Sequence, residues 1–522
     1  VVRLNYNDDK SWKLFKDGLT KGIFQLESQL GRSWSKKLEP RSIEELSALI
    51  SIIRPGVLNA MLDGTSLAMH FVDRKHKRED VTYIHEALEK ILSDTQGILI
   101  YQEQAMIIST ELAGFSLQEA DDLRKAIGKK KSDLMKKIRL KFIAGCEKVG
   151  LVDKDSADEI FSWIEKSARY LFNKSHGISY AINAYQSAWY KANHTLEFFL
   201  ASFFYASEKQ DPHEEIYELV SEARVFDINI KLPDLTNFDS KFNIRNGDIY
   251  FGVKDIKSLT GVTGDKVITA IRDVEEKLQK PAKDFSWMDV LVHLSNKINK
   301  TAFKSLCSIG FFSTKKTGVS RSKALHEYSS FRELTKGEVK WVEKNYPKKQ
   351  WTNLAASFKS LAPRKRTGGG THNYNRQQAI ESEIQVLNDP PYDLSDDPIW
   401  IVEQETRFLG CPISLSKIEA ADVSSSNTSC KNIIDGKKGK GIIVAANISR
   451  INDYKIKKEG KNKGKMMSFL TIEDGTASLD NVIVFPEMRE KYHFILFEDN
   501  NLLFYGNVEK DNTFIVDKIH EI

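Results

Sequence analysis

Two short clusters of basic and polar side chains have the residue types to bind a phosphate-rich ligand. The first cluster holds Arg124, Lys125, Lys129 and Lys130. Arginine offers a fork of donors and lysine a mobile positive charge, a combination that suits a triphosphate. The second cluster is continuous and consists of Phe172, Asn173, Lys174, Ser175 and His176. On the residues alone, a solvated helix end is an equally good interpretation of either cluster.

Helices must position both clusters. Apolar side chains recur at helical spacing over residues 43–53, and Arg54-Pro55-Gly56 ends that helix. The pattern predicts further helices over 85–94, 97–114 and 153–167. Ser116 and Glu119 form a capping-box pair before a helix that we expect to end at Gly128. Small and aromatic residues over 176–208 predict tightly packed helices, so the first two hundred residues are expected to be mainly helical.

A Gly-x-x-Gly turn is a candidate duplex-binding element. It comprises Gly261, Val262, Thr263 and Gly264, with Lys266 close behind, between the predicted short helices IKSL and DKVITAI. Such a turn exposes backbone amides beside a helix N-terminus, which suits one nucleic-acid phosphate. The pattern indicates a helix-hairpin-helix motif, and a plain glycine turn is as good an interpretation.

Five apolar runs from residue 439 onward predict a small closed barrel of the OB type. The loop after its first strand is basic and contains Lys455, Lys457, Lys458, Lys461, Lys463 and Lys465. OB folds bind single strands with a positive groove and exposed rings. Tyr454, Phe469, Phe485 and Phe504 are candidate stacking residues, and the alternative is that these rings fill the barrel.

The whole chain is therefore predicted to be a multidomain α+β protein. A mostly helical domain is expected over 1–225, a helix-hairpin-helix domain over 226–335, and a connector with an OB-type barrel over 401–522. Short strands and hairpins are expected over 225–255 and helices over 264–335. The residues between 336 and 400, rich in lysine, asparagine, proline and glycine, are predicted to be a linker or irregular segment.

Composition excludes some classes of protein. The 522 residues carry a net charge of +5, contain no apolar run long enough to span a membrane, and do not begin with a secretory signal. The absence of an initiator methionine suggests that an upstream part was removed. Four widely spaced cysteines give no zinc pattern. The acidic pairs Asp121-Asp122 and Asp396-Asp397 are interpreted as solvated, so no metal site is predicted.

Several motifs resemble the alpha subunit of bacterial DNA polymerase III, a family C replicative polymerase. They are GIFQLES at 22–28, ALISIIRPG at 48–56, DTQGILIYQEQAM at 94–106, LAGFSLQEADDLRKAIGKKK at 112–131 and YLFNKSHGISYAINAYQSAWYKA at 170–192. They stand in that family's order and at its spacing. Beyond residue 205 the resemblance continues more weakly, through YFGVKDIKSLTGVTG, LCSIGFF, ETRFLGCPIS and the barrel, and residues 335–395 are unmatched.

The resemblance implies roles for individual residues. Arg124 and Lys125 would contact the triphosphate, with Lys129 and Lys130 beside them, although the family usually has Arg-Arg where this chain has Arg-Lys. The nucleotide pocket would be lined or supported by Arg54, Gln102, Glu103, Asn173, Lys174, Ser175 and His176. Residues 261–264 would hold the duplex backbone, and the barrel would meet the single-stranded template.

The resemblance also implies partners. The family's palm, with three aspartates that bind Mg²⁺, precedes GIFQLES, so we expect it outside this chain and expect the chain alone to be inactive. The expected partners are primer-template DNA, a deoxynucleoside triphosphate, a palm-bearing polymerase fragment and other replisome proteins, in the cytoplasm of a bacterial or virus-infected bacterial cell. Binding to the sliding clamp stays open, because residues 313–400 contain no convincing glutamine-led clamp peptide. The alternatives are a non-catalytic DNA-binding or assembly subunit and a structural scaffold.

Overall fold

A computed structural model of the chain describes residues 4–129, 132–362, 374–419, 421, 423–456, 460–509 and 512–522. The chain divides into two compact units, Val1–Phe198 and Phe199–Ile522. The limits predicted at 225, 335 and 400 stay predictions. Within the described ranges, no helix is both long enough and apolar enough to cross a membrane.

The first unit is helical, as predicted, apart from one small hairpin. Its helices are α1 (Asp9–Asp17), α2 (Gln29–Leu38), α3 (Ile43–Ile52), α4 (Pro55–Leu58), α5 (Leu67–Lys75), α6 (Glu89–Leu92), α7 (Gln102–Ala113), α8 (Leu117–Lys129), α9 (Ser132–Val149), α10 (Lys154–Ser167) and α11 (Lys174–Asn193). The hairpin joins β1 (Met61–Leu62) to β2 (Thr65–Ser66). The helix α12 (Thr195–Ala206) contains the boundary between the units.

The predicted capping box before α8 is confirmed, since Ser116 N donates to Glu119 and Glu119 N donates to Ser116 Oγ. The helix predicted over 97–114 is wrong at its start. Residues 98–101 are extended, and α7 begins at Gln102. A single parallel bridge between Tyr101 and Phe172 accounts for this difference, because it takes the backbone groups that a longer helix would use.

Helix α11 packs closely on α3 because its facing residues are small. Gly177, Ala181, Ala184 and Ala188 are all buried. A Cβ on Gly177 would lie 2.7 Å from Ser47 Oγ and 3.2 Å from Ser51 Oγ. Since side chains and backbone already touch at this distance, even one added methyl group would push the two helices apart.

The second unit is mixed α and β. Its small sheet has the order β3-β5-β4, with β3 (Ile230–Lys231), β4 (Asn243–Arg245) and β5 (Asp248–Tyr250). Its helices are α13 (Pro212–Val225), α14 (Val262–Leu278), α15 (Trp287–Asp289), α16 (Lys300–Ser308), α17 (Arg321–Arg332), α18 (Lys336–Lys349), α19 (Leu354–Leu361), α20 (Tyr374–Asn388), α21 (Pro398–Leu409) and α22 (Cys430–Ile434). A π turn, Val290–Leu294, follows α15.

The predicted linker over 336–400 is wrong for most of its length. Helices α18, α19 and α20 occupy it, and α21 begins at Pro398. Buried residues spaced along these helices anchor them, including Val342, Leu354, Phe358 and Ile380. The many lysines and asparagines hid this pattern, because they lie on exposed faces and as helix caps rather than in a loop.

The C-terminal strands close into the predicted five-stranded barrel. They are β6 (Gly439–Lys455), β7 (Met466–Glu473), β8 (Ser478–Val484), β9 (Asn501–Val508) and β10 (Phe514–Glu521), in the order β10-β8-β7-β6-β9. Helix α23 (Pro486–Tyr492) lies between β8 and β9. Phe504 is buried in the barrel core, whereas Tyr454 and Phe485 are exposed. Of the candidate stacking rings, Phe504 is therefore the one that fills the barrel.

A buried ion pair holds α17 and α21 together. Arg321 donates to Glu405 Oε1 at 2.8 Å, and Glu405 is 0% exposed. Glu405 also accepts from the backbone N–H groups of Ile413 and Ser414, at 2.6 and 2.8 Å. Both partners are thus fully satisfied, which makes the loss of either charge costly.

Substitution of Glu405 by glutamine should therefore destabilise the second unit. The amide cannot accept from Arg321 and from two backbone donors together, so a buried charge loses its partner at a cost of about 3–5 kcal/mol. Hydrogen exchange in urea, followed over peptides from 321–332 and 398–414, measures this loss. Glu403→Gln on the exposed side of α21 is the matched control, and equal exchange in the two variants would contradict the argument.

Candidate nucleotide and DNA site

The N-termini of α7 and α11 lie side by side. Gln102 N donates to Phe172 O at 2.8 Å, and Phe172 N donates to Ile100 O at 2.9 Å. These two bonds form the single bridge between Tyr101 and Phe172. Two predicted site segments that are far apart in sequence are thereby joined directly ahead of two helix starts.

Gln104, which the sequence reasoning missed, holds this junction in place. Its Oε1 accepts from Ile100 N and Tyr101 N, both at 3.0 Å. Its Nε2 donates to Thr95 Oγ1 at 2.7 Å. A buried amide that is satisfied at both ends fixes the extended residues before α7. The capping-box spacing from Tyr101 to Gln104 was a signal that could have identified it.

Glu103 occupies the N-terminus of α11. Its carboxylate accepts from Asn173 Nδ2 at 2.9 Å and from Lys174 N at 2.8 Å. Asn173 is the N-cap of α11, and its Oδ1 accepts from His176 N at 2.8 Å. Helix N-termini attract anions through free amides and the helix dipole. The N-terminus of α11 therefore already binds one carboxylate group, that of Glu103.

Arg54 stacks on the ring of Phe172, with its guanidinium carbon 3.4 Å from the ring centroid. It precedes α4 and makes no capping hydrogen bond with its side chain. Burial lowers the pKa of the Arg54 guanidinium, but the ordinary value is so high that the group stays charged. The structure thus brings Arg54 to the α11 N-terminus from a separate helix.

Aromatic rings continue along α11 from this point. The ring of His176 lies 5.4 Å from Phe172 and 4.0 Å from Tyr180, and Tyr180 lies 5.1 Å from Phe24. His176 and Tyr180 lie four positions apart on α11 and share a helix face, and Phe172 lies just ahead of that helix. Phe24 and Tyr180 were not among the predicted site residues, although this spacing could be read from the sequence.

The remaining predicted residues of this segment lie at the edge of the group. Lys174 places its ammonium 5.7 Å from the ring of Tyr101. Ser175 and His176 are exposed, and Gln102 is half-buried at the start of α7. Arg54, Gln102, Glu103 and residues 173–176 therefore lie around the N-termini of α7 and α11, and their role in a nucleotide pocket stays a prediction.

The first basic cluster lies on α8 and is paired within its own helix. Arg124 donates to Asp121 Oδ1 at 2.9 Å, and Lys125 Nζ lies 2.8 Å from Asp121 Oδ2. The bond from Lys125 lowers the pKa of the Asp121 carboxyl most, followed by the bond from Arg124. Lys129 belongs to the last turn of α8, and Lys130 lies outside the described residues. Among described residues, no contact joins this cluster to the α11 N-terminus.

Residues 261–264 do not form the predicted turn between two short helices. Helix α14 begins at Val262, so Val262, Thr263 and Gly264 belong to its first turn, and the predicted helix IKSL is a short 3-10 turn, Lys257–Leu259. Gly261 precedes α14 with φ of 60°. Gly264 is buried, and a Cβ there would lie 2.5 Å from Leu259 O. The close approach of Leu259 O explains why residue 264 is a glycine. Lys266 and the start of α14 are exposed.

The basic loop of the barrel is exposed where the structure describes it. Lys455 ends β6, and Lys461, Lys463 and Lys465 lead into β7. Lys457 and Lys458 lie outside the described residues. Tyr454 and Phe469 face each other beside this loop, with ring centroids 6.4 Å apart. The exposed ring of Tyr454 and the half-buried ring of Phe469 thus lie beside basic residues, and single-strand binding there stays a prediction.

The acidic pairs have structural roles that the sequence reasoning missed. Asp396 accepts from Arg321 N and Ser322 N, and Asp397 caps α21 by accepting from Trp400 N at 2.8 Å. The interpretation of these residues as merely solvated was wrong, because each closes a helix N-terminus. Within the described ranges, no group of three or more His, Cys, Asp or Glu side chains could hold a metal ion.

His70 anchors the hairpin that follows α4. Its Nε2 lies 2.8 Å from Leu62 O, and its Nδ1 lies 2.6 Å from Glu79 Oε2. A carbonyl oxygen and a carboxylate can only accept, so both ring nitrogens must carry protons. Arg74, 2.8 Å from the other Glu79 oxygen, completes this group. Both contacts therefore favour the charged form of the imidazole.

Comparison with known proteins identifies the class to which this helical site belongs. Residues 1–150 match the family described as the finger domain of the bacterial DNA polymerase III alpha subunit. The alpha subunit of Haemophilus influenzae is 30% identical over 527 residues, which cover 98% of this chain and 41% of that protein. The alpha subunit of Borreliella burgdorferi is 28% identical over 95% of this chain, and that of Caulobacter vibrioides is 35% identical over 59% of it.

Residues 1–150 are therefore similar to a DNA polymerase III alpha finger domain, and nearly the whole chain is similar to these alpha subunits. It spans 26% to 41% of the length of the three relatives named above. The resemblance seen in the motifs is thus confirmed.

The charged state of His70 predicts a pH-dependent hairpin. Burial opposes the charge, but the Leu62 carbonyl and Glu79 outweigh it and raise the pKa of His70. A group with a raised folded pKa stabilises below its unfolded value and loses that effect as pH rises through the folded pKa. Hydrogen exchange over residues 60–67, corrected for intrinsic rates, should show protection falling over that range.

In His70→Gln this pH dependence should vanish, because glutamine does not titrate. His76→Gln is the control, since the His76 ring bonds Lys37 O rather than the hairpin. Protection in the unmodified chain that does not change between acidic and mildly alkaline pH would show that His70 does not anchor the hairpin.

Proposed function

We propose that this chain supplies the fingers and DNA-binding modules of a DNA-directed DNA polymerase, which bind the incoming deoxynucleoside triphosphate and the primer-template. The observation that carries the proposal is the paired start of α7 and α11. There the α11 N-terminus binds the Glu103 carboxylate beside Arg54, within a chain homologous to DNA polymerase III alpha subunits. A site that already binds one anionic group is suited to phosphate oxygens.

In this proposal the two basic clusters act at different phosphates or in different steps. Arg54 and Lys174 stand at the α11 N-terminus, while Arg124 and Lys125 stand on α8. The carboxylate of Asp121 binds some of the donors of both α8 residues. Asp121 would therefore compete with a triphosphate for these two side chains. Positioning and neutralisation of charge, rather than proton transfer, are the contributions of these residues.

The nucleotidyl transfer would need carboxylates that bind Mg²⁺, and we propose that a palm domain outside this chain supplies them. Mg²⁺ would there stabilise the charge on the reacting phosphate. This chain's own residues would hold the triphosphate and the primer-template and exclude water. The chain alone is accordingly proposed to be inactive, with a palm-bearing fragment as its first partner.

The second unit would bind both duplex and single-stranded nucleic acid. The exposed start of α14, with Gly261 and Lys266, would contact the duplex backbone in the manner of a helix-hairpin-helix motif. The barrel would bind the single-stranded template. Its strand order, in which the last strand lies between the third and the fourth and a helix precedes the fourth, supports an OB-type assignment.

A non-catalytic DNA-binding subunit is the competing proposal. Its merit is that the described residues include no metal-binding cluster. Retention of Arg124, Lys125 and the complete α11 N-terminus favours the polymerase, since a scaffold or simple DNA-binding subunit has no use for triphosphate donors. The two proposals differ in whether the addition of a palm-bearing fragment restores DNA synthesis.

Primer extension tests the proposal directly. The chain alone should not extend a primer with Mg²⁺ and four nucleotides, whereas addition of a palm-bearing fragment of a related alpha subunit should restore extension. Arg124→Ala with Lys125→Ala should lower kcat/KM for nucleotide by at least 100-fold, because each charged contact to phosphate contributes about 1.5–3 kcal/mol.

Glu147→Gln with Lys148→Gln, at the exposed end of α9, is the control and should extend primers normally. Extension by the chain alone would reveal carboxylates that this proposal places elsewhere. An assembled mixture that binds DNA but does not extend it would support the non-catalytic subunit.

Asp121→Asn should change nucleotide binding in the opposite direction to the loss of Arg124 and Lys125. The substitution removes the negative charge that Arg124 and Lys125 now share, so triphosphate should bind about 3- to 10-fold more tightly if these residues are its donors. Equilibrium binding of a nucleotide to the assembled mixture measures the change. Weaker binding in this variant would mean that Asp121 positions the donors rather than competing for them.

A further inference from the structure

One face of α18 carries a regular row of lysines that no proposed site uses. Lys336, Lys340, Lys344 and Lys348 recur every four residues, and all four are exposed. Successive members advance about 6 Å along the axis and rotate by about 40°, so the row covers about 18 Å. Glu338 and Val342 are buried on the opposite face. The lysine row is thus the solvent side of a helix whose other side is anchored.

The acidic residues of α18 do not neutralise this row. Glu338 is 3% exposed, and its carboxylate accepts from Thr335 N and from Arg376, the latter at 2.6 Å. Glu343 pairs with Lys277 of α14 at 2.5 Å. Across the described ranges, none of the four lysines forms an ion pair. Exposed helices commonly alternate acids and bases at this spacing, so a row without acids leaves an unusually concentrated positive charge.

Helix α18 is also fixed to the module that carries the exposed start of α14. It packs on the π turn Val290–Leu294, which itself packs on α14. The pair between Lys277 and Glu343 and the bond from Tyr346 to Asp289 add polar links. Lys277 lies near the C-terminal end of α14, about 22 Å along the helix from Val262, so the lysine row is separate from the exposed start of α14. Because α18 is anchored, the row can contact a regular polyanion without ordering of the backbone.

We infer that the lysine row of α18 is a second contact surface for duplex nucleic acid, which it binds through the phosphate backbone without reading sequence. The row presents mobile point charges and lacks planar forks or exposed aromatic rings, so it suits phosphates rather than bases. It also lacks large apolar side chains that could enter a bilayer. The inference extends the proposed function but concerns a surface separate from the nucleotide site.

Salt dependence of duplex binding tests the inference. The full chain with all four lysines changed to glutamine is compared with the unmodified chain on a labelled 30-base-pair duplex, with affinity measured by anisotropy over a range of salt concentrations. Each lost phosphate contact should lower the slope of log K against log salt by about 0.9, so a reduction of about 2 to 3.6 is expected.

The control variant makes the same charge change at Lys300, Lys304, Lys315 and Lys316, which are exposed elsewhere in the second unit. It should lower the slope by less than about 1. Equal slopes in the two variants would overturn the inference, because net charge alone would then explain binding. Tighter binding of the unmodified chain to phosphatidylserine vesicles or polyglutamate than to the duplex would overturn it as well.

Lysine acetylation of the unmodified chain gives a measurement that does not depend on a variant's folding. Duplex should protect Lys336, Lys340, Lys344 and Lys348 more than the four control lysines, and uniform protection would overturn the inference. A result that contradicts duplex binding by the α18 lysines is distinguishable from one that contradicts the proposed function. Primer extension at saturating DNA depends on Arg124 and Lys125, and it should persist in the α18 variant.

Discussion

The contact between Glu103 and the N-terminus of α11 is the constraint on which the candidate site depends. The carboxylate binds two donors of that helix, and the neighbouring bridge between Tyr101 and Phe172 fixes the distance between the two helix starts. Phe172 in turn provides the surface on which Arg54 stacks. Three segments far apart in sequence therefore converge because one carboxylate and one bridge satisfy backbone groups that the helix starts leave open.

This arrangement explains why an acidic residue lies in a site proposed to bind phosphate. Helix α11 would otherwise present unsatisfied amides next to Arg54 and Lys174, and such a concentration of positive potential would attract any anion. Glu103 lowers that potential and holds Asn173 in its capping position. Asp121 has the same relation to Arg124 and Lys125 on α8. The donors stay ordered without ligand, and only a group with more negative charge than a carboxylate competes well for them.

Much of the fold could be predicted from the sequence, and the failures have physical causes. Capping residues and apolar spacing identified α3, α8 and α10, because these signals are local. The start of α7 was placed too early because the bridge to Phe172 joins residues far apart in sequence. Helices α18 to α20 were missed because their anchoring residues are sparse among lysines and asparagines. The gathering of Arg54 with residues 173–176 followed from resemblance alone, and Gln104 and Tyr180 went unnoticed.

The distribution of paired and unpaired charge separates two kinds of basic surface in this chain. Arg124 and Lys125 share the Asp121 carboxylate within about one hydrogen-bond length, so an anionic ligand competes with that partner for their charge. The α18 lysines have no such partner among described residues, since Glu338 and Glu343 are bound elsewhere. A cation that must exchange a carboxylate for a ligand discriminates between ligands. An unpaired cation attracts anions from a distance, and salt weakens that attraction. The proposed function, which combines loose binding of DNA with selection of one nucleotide, would use both kinds of surface.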